Sequence, residues 1–200
     1  MTADDGTRWN TNIHYHPRIL GAVPGGARRA LDVGCGEGML ARALRKSVPH
    51  VTGIDLHAPS VEQARGYGDD VDYVLGDFLT HPFEPASFDV VASVATLHHM
   101  DAATGLARMR DLLRPGGVLA VVGLARSTVP RDLPRELAGV VAFAAHRAVK
   151  GHWEHPSPTV WPPPVTYPQM RALAAELLPG SRYRRHLLWR YSVVWRKPGD

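Results

Sequence analysis

Eight consecutive residues, Leu31-Asp32-Val33-Gly34-Cys35-Gly36-Glu37-Gly38, carry the densest chemical signal in the chain. An apolar run ends in an acidic residue, three glycines alternate with other residues, and a stretch of helical spacing follows over 39–46. Glycine allows a tight turn and a close approach of backbone to ligand. A strand, a glycine-rich turn and a helix start together form a nucleotide-binding crevice. The dinucleotide fingerprint is G-x-G-x-x-G. Here the spacing is G-x-G-x-G, with Met39 where that third glycine would stand, so pyrophosphate binding is not the best reading. A second group, His98-His99, titrates near neutrality and suits a general base, or else lines a pocket or braces a loop. His14, His16, His98, His99, His152 and His155 share no recognisable ligand spacing with a carboxylate or cysteine, so no metal is expected.

Alternating strands and helices must position these groups. Strands are expected over 28–33, 51–56, 71–75, 88–94 and 118–124, the fourth an almost unbroken apolar run suited to burial on both faces. Helices are expected over 39–47, from a Ser60 N-cap after Pro59 to about residue 66, and over 102–113. Residues 114–117 (Arg-Pro-Gly-Gly) read as a turn. This order implies parallel βαβ units with right-handed crossovers, an α/β doubly wound sheet. Residues 1–12 read as loose, and 13–23 as a short helix or lid segment broken by Pro17. Beyond residue 125 come a helix over 134–150, a Pro-rich loop over 151–168, a helix over 167–178 and paired strands over 182–187 and 189–196. That long connection reads as a substrate-side insertion, residues 126–180, not a second domain.

Two hundred residues suit one domain with a real core. The net charge of +4 is uneven: residues 1–125 hold 11 Lys/Arg against 14 Asp/Glu, and residues 126–200 hold 12 against 5. A basic third can meet nucleic acid or acidic ligands, or form a solvated face. No apolar run approaches the ~20 residues of a membrane span. One cysteine excludes an internal disulfide and fits a reducing cytosol, so a cytoplasmic protein is expected.

Taken in order, 31–38, Gly53-Ile54-Asp55-Leu56, Gly76-Asp77-Phe78, Phe88-Asp89-Val90-Val91, Leu97-His98-His99-Met100 and Leu113-Arg114-Pro115-Gly116-Gly117 resemble the landmarks of the small-molecule class I S-adenosylmethionine-dependent methyltransferases. The match runs motif by motif over about 28–125 and loosely over the whole chain. The resemblance implies a seven-stranded sheet of order 3-2-1-4-5-7-6 with strand 7 antiparallel. It also implies S-adenosyl-L-methionine as cofactor and S-adenosyl-L-homocysteine as product.

Under that resemblance each residue has a role. Asp55, 19 residues after Gly36, would accept from both ribose hydroxyls. Leu56 would cover the adenine face, Asp77 would accept from its amino group, and the Phe78 backbone would meet the ring edge. Gly34 and Gly36 would admit the methionine half. Asp32 would order that loop or bind the amino group indirectly, Cys35 would pack rather than attack, and Glu37 would complement the helix dipole. Carbonyls of 93–97, at Val94 above all, would hold the ammonium. Tyr15 would close over the cofactor or pack on the sheet. Trp153, Trp161 and Tyr167 would wall an acceptor pocket or simply pack. Residues 93–96 (Ser-Val-Ala-Thr) lack the prolines typical of base N-methylation. The expected activity is methyl transfer to a small-molecule oxygen, nitrogen or carbon. RNA or protein methylation and cofactor binding without transfer are the alternatives.

Overall fold

The computed structural model describes residues 8–68, 70–153 and 160–199. Seven strands form one sheet in the order β3-β2-β1-β4-β5-β7-β6. They are β1 (Arg29–Val33), β2 (His50–Asp55), β3 (Asp72–Leu75), β4 (Phe88–Val94), β5 (Leu113–Gly123), β6 (Arg182–Arg185) and β7 (Tyr191–Arg196). Neighbouring pairs from β3 to β5 run parallel, while β7 is antiparallel to β5 and β6. The topology expected from the resemblance is therefore the observed one.

Helices cover both faces: α1 (His16–Leu20), α2 (Met39–Arg45), α3 (Ala58–Arg65), α4 (Ala102–Leu112), α5 (Leu133–Lys150) and α6 (Tyr167–Leu177). Strand side chains alternate between faces. Leu31, Val91, Leu119 and Val121 meet Leu106 and Met109 of α4 and Met170 of α6. Ala30, Val90, Ala92 and Val122 meet Leu40 and Leu44 of α2, Val61 of α3 and Ile19 of α1. With both layers dry, the strand C-termini open onto a common edge, where an open α/β sheet binds ligands.

Four local expectations change. Trp9 and Asn10 are buried rather than loose, because Trp9 joins the second core layer. Pro17 lies in the first turn of α1, where its missing N–H costs no hydrogen bond, so it starts that helix instead of breaking it. The cap of α3 is His57, not Ser60, which lies buried inside the helix with its hydroxyl 2.8 Å from His57 Nδ1. The turn at 114–117 survives as a bulge inside β5: Phe88 pairs with Leu113, and Val90 already pairs with Val118. Gly116 at φ +77° and bonds to Lys197 hold that bulge.

Candidate active site

A cavity of about 870 Å³ opens at the C-terminal ends of β1, β2, β3 and β4. Its size is in the range of small-molecule and cofactor sites. The loop after β1 forms one wall, with Gly34, Gly36 and Gly38 all at positive φ. A Cβ on Gly34 would stand 2.0 Å from Thr96 Oγ1, and one on Gly38 would stand 2.1 Å from the Tyr73 hydroxyl. The third glycine thus sits where Tyr73 crosses the loop, immediately before α2. Ala95, just past β4, is a non-glycine residue at φ +54°, pinned by its N–H to Val122 O at 2.8 Å. Such strained residues concentrate at functional sites.

Asp32, Glu37, Asp55 and Asp77 border the same region. The carboxylate of Asp55 accepts from Gly36 N and His57 N, each at 2.8 Å, one on each oxygen. Two bonds leave carboxylate lone pairs for further donors. Asp77 Oδ1 accepts from Leu79 N at 2.9 Å. Leu56 stays 69% exposed at the cavity lip, an apolar side chain with a face to cover. Phe78 has its ring in the core and borders the cavity, while its carbonyl accepts from Arg108 Nε at 2.7 Å. Val94 ends β4 half-buried, its carbonyl taken by Thr96 Oγ1 at 3.1 Å. Burial pushes the Cys35 thiol well up, so it is a neutral packing group.

Asp32 is different. It is buried, and its Oδ2 has no hydrogen-bond partner among the described residues. Desolvation, reinforced by the Asp55 charge, raises its pKa to about 7 against a backbone bond from Ala41. A buried carboxylate oxygen without a partner beside a cavity is a place for a hydrogen-bond donor, and a cationic donor there would favour its ionised form.

The opposite wall comes from the chain's two ends. Residues 10–13 and His16 run across the cavity as a strap. Arg8 Nη1 reaches the Glu37 carboxylate at 3.1 Å, Gln63 Nε2 donates to the same group at 2.9 Å, and Trp153 N donates to Trp9 O at 2.8 Å. Arg190 follows two left-handed residues, Leu188 and Trp189, that turn the β6–β7 connection. Its Nε and Nη2 donate to Asn12 Oδ1 at 3.0 and 2.6 Å, and Nη2 also donates to Thr11 Oγ1 at 2.7 Å. His98 is buried with Nδ1 unpartnered among the described residues, and burial, then His99 and Arg190, lowers its pKa to about 4. His99 is more exposed, and burial lowers its pKa too.

A family model described as a methyltransferase domain matches residues 31–121. An uncharacterized methyltransferase of Mycobacterium bovis is 41% identical over 193 residues, spanning 95% of this chain and 98% of the relative. The chain belongs to the class I S-adenosylmethionine-dependent methyltransferases. It is an enzyme of that family, and S-adenosylmethionine is its methyl donor. It is also 39% identical to a ubiquinone biosynthesis O-methyltransferase of Xylella fastidiosa over 127 residues, 60% of this chain and 49% of that one. The fold matches that of Haemonchus contortus phosphoethanolamine N-methyltransferase 2 in complex with S-adenosyl-L-methionine. There the TM-score is 0.65 at 17% identity, over 92% of this chain and 52% of the other.

In this methyltransferase the cavity brings together Asp32, Gly34, Cys35, Gly36, Asp55, Leu56, Asp77, Phe78, Val94, His98 and His99. Tyr15 does not line it: its ring is buried in the second core layer and its hydroxyl donates to the Leu187 carbonyl. Of the insertion aromatics, Trp153 lines the cavity, Trp161 borders a smaller separate one and Tyr167 lies in the core. His16 and His152 line the cavity, His14 packs against Trp9 and His146, and His155 lies outside the described residues. Among the described residues no group of three or more His, Cys, Asp or Glu is arranged to hold a metal. None of their helices is long and apolar enough to cross a membrane. The sequence expects a lid in the N-terminal segment but not that residues 10–12 carry it, and it gives no sign of Glu37 as an ion-pair anchor or of Arg190 in the cavity wall. Arg190 carries no local signal: it is one of several arginines in the C-terminal stretch, and the left-handed turn at Leu188 and Trp189 that aims it is visible only in the fold.

Proposed function

We propose that this enzyme transfers the methyl group to a small-molecule acceptor, with the donor held by residues 32–36, 55–56, 77–78 and 94. The orphaned oxygen of Asp32 carries this reading, because it fits the ammonium of the donor's methionine half, a cation the described chain does not itself supply. Asp55 fits the ribose hydroxyls, Leu56 the adenine face, and Asp77 with the Phe78 backbone the adenine edge. Gly34 and Gly36 let the main chain come close, and the buried Cys35 thiol fills the space behind them. When bound, S-adenosylmethionine supplies a methyl group already activated on a cationic sulfur.

The protein's own task is then orientation and exclusion of water, which supply up to roughly 7–11 kcal/mol in favourable cases. The strap of residues 8–16 closes one side, positioned from behind by Tyr15 through Leu187, and His152 and Trp153, just after α5, back the same strap through the Trp153 N to Trp9 O bond. His98 faces the acceptor as a neutral imidazole, and His99 borders it. The chain works as one domain in which 1–27 is the lid segment and 126–180 the acceptor-side insertion. A cleft of this size, and the small-molecule reactions named for the ubiquinone and sterol methyltransferases among the relatives, favour a small acceptor over RNA or protein.

The test is a calorimetric titration with S-adenosylhomocysteine. One-to-one binding in the micromolar range is expected. Absence of binding by folded, ligand-free protein contradicts the assignment of the cavity.

A further inference from the structure

The cavity is electrically polarised. Its four carboxyl groups cluster at the C-terminal ends of three strands: Asp32 within β1, Glu37 on the loop after it, Asp55 at the end of β2 and Asp77 just past β3. The Arg190 guanidinium, 7% exposed, lines the same cavity from the β6–β7 connection. Its five N–H donors meet only neutral acceptors: Thr11, Asn12 and the carbonyls of Leu188 and Trp189 at 3.3 Å. No carboxylate among the described residues pairs with it, although Arg185 pairs with Asp132 and Glu136, Arg114 with Asp89 and Arg8 with Glu37. A buried charge without a counter-charge is costly, and buried charges in proteins are normally paired. The space free to hold the missing anion is the cavity that Arg190 lines.

Resting on the donor placement above, we propose that the acceptor is a carboxylate, drawn to the Arg190 end of the cavity and methylated on its own oxygen. The carboxylate oxygen attacks the methyl carbon in line. The C–O bond forms as the S–C bond breaks, the electron pair stays on sulfur, and the acceptor's negative charge and the sulfonium's positive charge cancel. A neutral ester and a neutral thioether result. No proton has to be removed, which matches an acceptor wall whose buried histidine, His98, is held neutral and is a weak base. An ammonium acceptor would meet the Arg190 charge and the sulfonium together, so the same field that draws a carboxylate repels an amine.

The experiment uses wild-type protein saturated with S-adenosylhomocysteine and titrated with three matched sets of probes. These are hexanoate, octanoate and phenylacetate, each with its amide and its one-carbon-reduced amine. A carboxylate that binds at least about tenfold more tightly than its amide and its amine is expected, a preference of about 1.4 kcal/mol. Arg190→Met should abolish the preference and Arg190→Lys should keep part of it. Asn12→Ala keeps the charge and frees two Arg190 donors toward the cavity, so the preference should persist or strengthen, and its loss overturns the proposal. Equal binding of amide or amine overturns the proposal, as does failure of every carboxylate to bind the loaded protein. If Arg190→Met does not fold, the wild-type preference and the Asn12→Ala control decide. Failure of S-adenosylhomocysteine to bind at the outset is a separate result, and it overturns the donor site instead.

Discussion

The two ends of the cavity are built in opposite ways. The proposed donor end stands on consecutive residues at strand termini: Asp32 to Gly38 at the end of β1 and beyond, Asp55 to His57 from the last residue of β2, Gly76 to Leu79 after β3. Its geometry is fixed by bonds from backbone N–H groups, such as Gly36 N to Asp55 Oδ2, that join segments the sheet already holds side by side. The acceptor end is assembled from parts far apart in the chain, and its central contact joins Arg190 to Asn12, 178 residues away. One end is a local property of the sheet edge. The other is a tertiary property of where the N-terminal strap and the β6–β7 connection meet. The outer surface over the second end is correspondingly unfinished: Leu137, Val140, Val141 and Val149 of α5 are all exposed.

If this division is right, substitutions at the two ends separate. Asp55→Ala strikes the donor end hardest. Losing charge-assisted bonds worth about 1.5–3 kcal/mol should weaken S-adenosylhomocysteine binding roughly ten- to hundredfold by calorimetry. An unchanged affinity in a folded variant would sink the ribose assignment. Asn12→Ala should act on the other end, leaving Arg190 donors unsatisfied at a cost of about 1–3 kcal/mol in a denaturant melt. Donor affinity should move far less than with Asp55→Ala, and a comparable loss would merge the two ends into one unit.

Asp32 sharpens the comparison through pH. In the free protein its carboxyl holds a proton below about pH 7. The bound ammonium favours the ionised form, so binding expels that proton. Affinity should therefore fall about tenfold from about pH 8 to about pH 6, and Asp32→Asn should flatten the profile. The raised pKa also means that the folded ligand-free protein binds more protons than the unfolded chain, so this group's contribution to stability declines as pH rises from the ordinary carboxylate range through about 7. A flat wild-type binding profile would remove Asp32 from the ammonium site. The smallest effect belongs to His99→Ala: donor affinity within about twofold, since a change under ~0.4 kcal/mol is that of a side chain outside the donor contacts. A tenfold loss would move His99 into the donor end.

This division explains what the sequence made legible. The glycine loop, Asp55 and the apolar strands could be read because each is a local pattern whose meaning depends on neighbours within a few residues. The same locality made the resemblance readable over 28–125. Serine favours a cap position, which points to Ser60, but His57 takes the cap and Ser60 is buried as its partner. Tyr15 lies within the strap yet turns inward, since a short 3₁₀ turn at Ile13–Tyr15 rotates it onto the sheet while His16 faces the cavity. Arg190 had no local signature, because its importance lies in the absence of a carboxylate, which only the fold reveals.

The most direct measurement is calorimetry of S-adenosylhomocysteine binding at about pH 6.5 in two buffers of different ionisation enthalpy, with wild type and Asp32→Asn. The account predicts one-to-one binding that releases roughly three-quarters of a proton in the wild type, as a carboxyl of pKa about 7 would, and close to none in the variant. Binding heats independent of buffer in the wild type, or no binding at all, would contradict it.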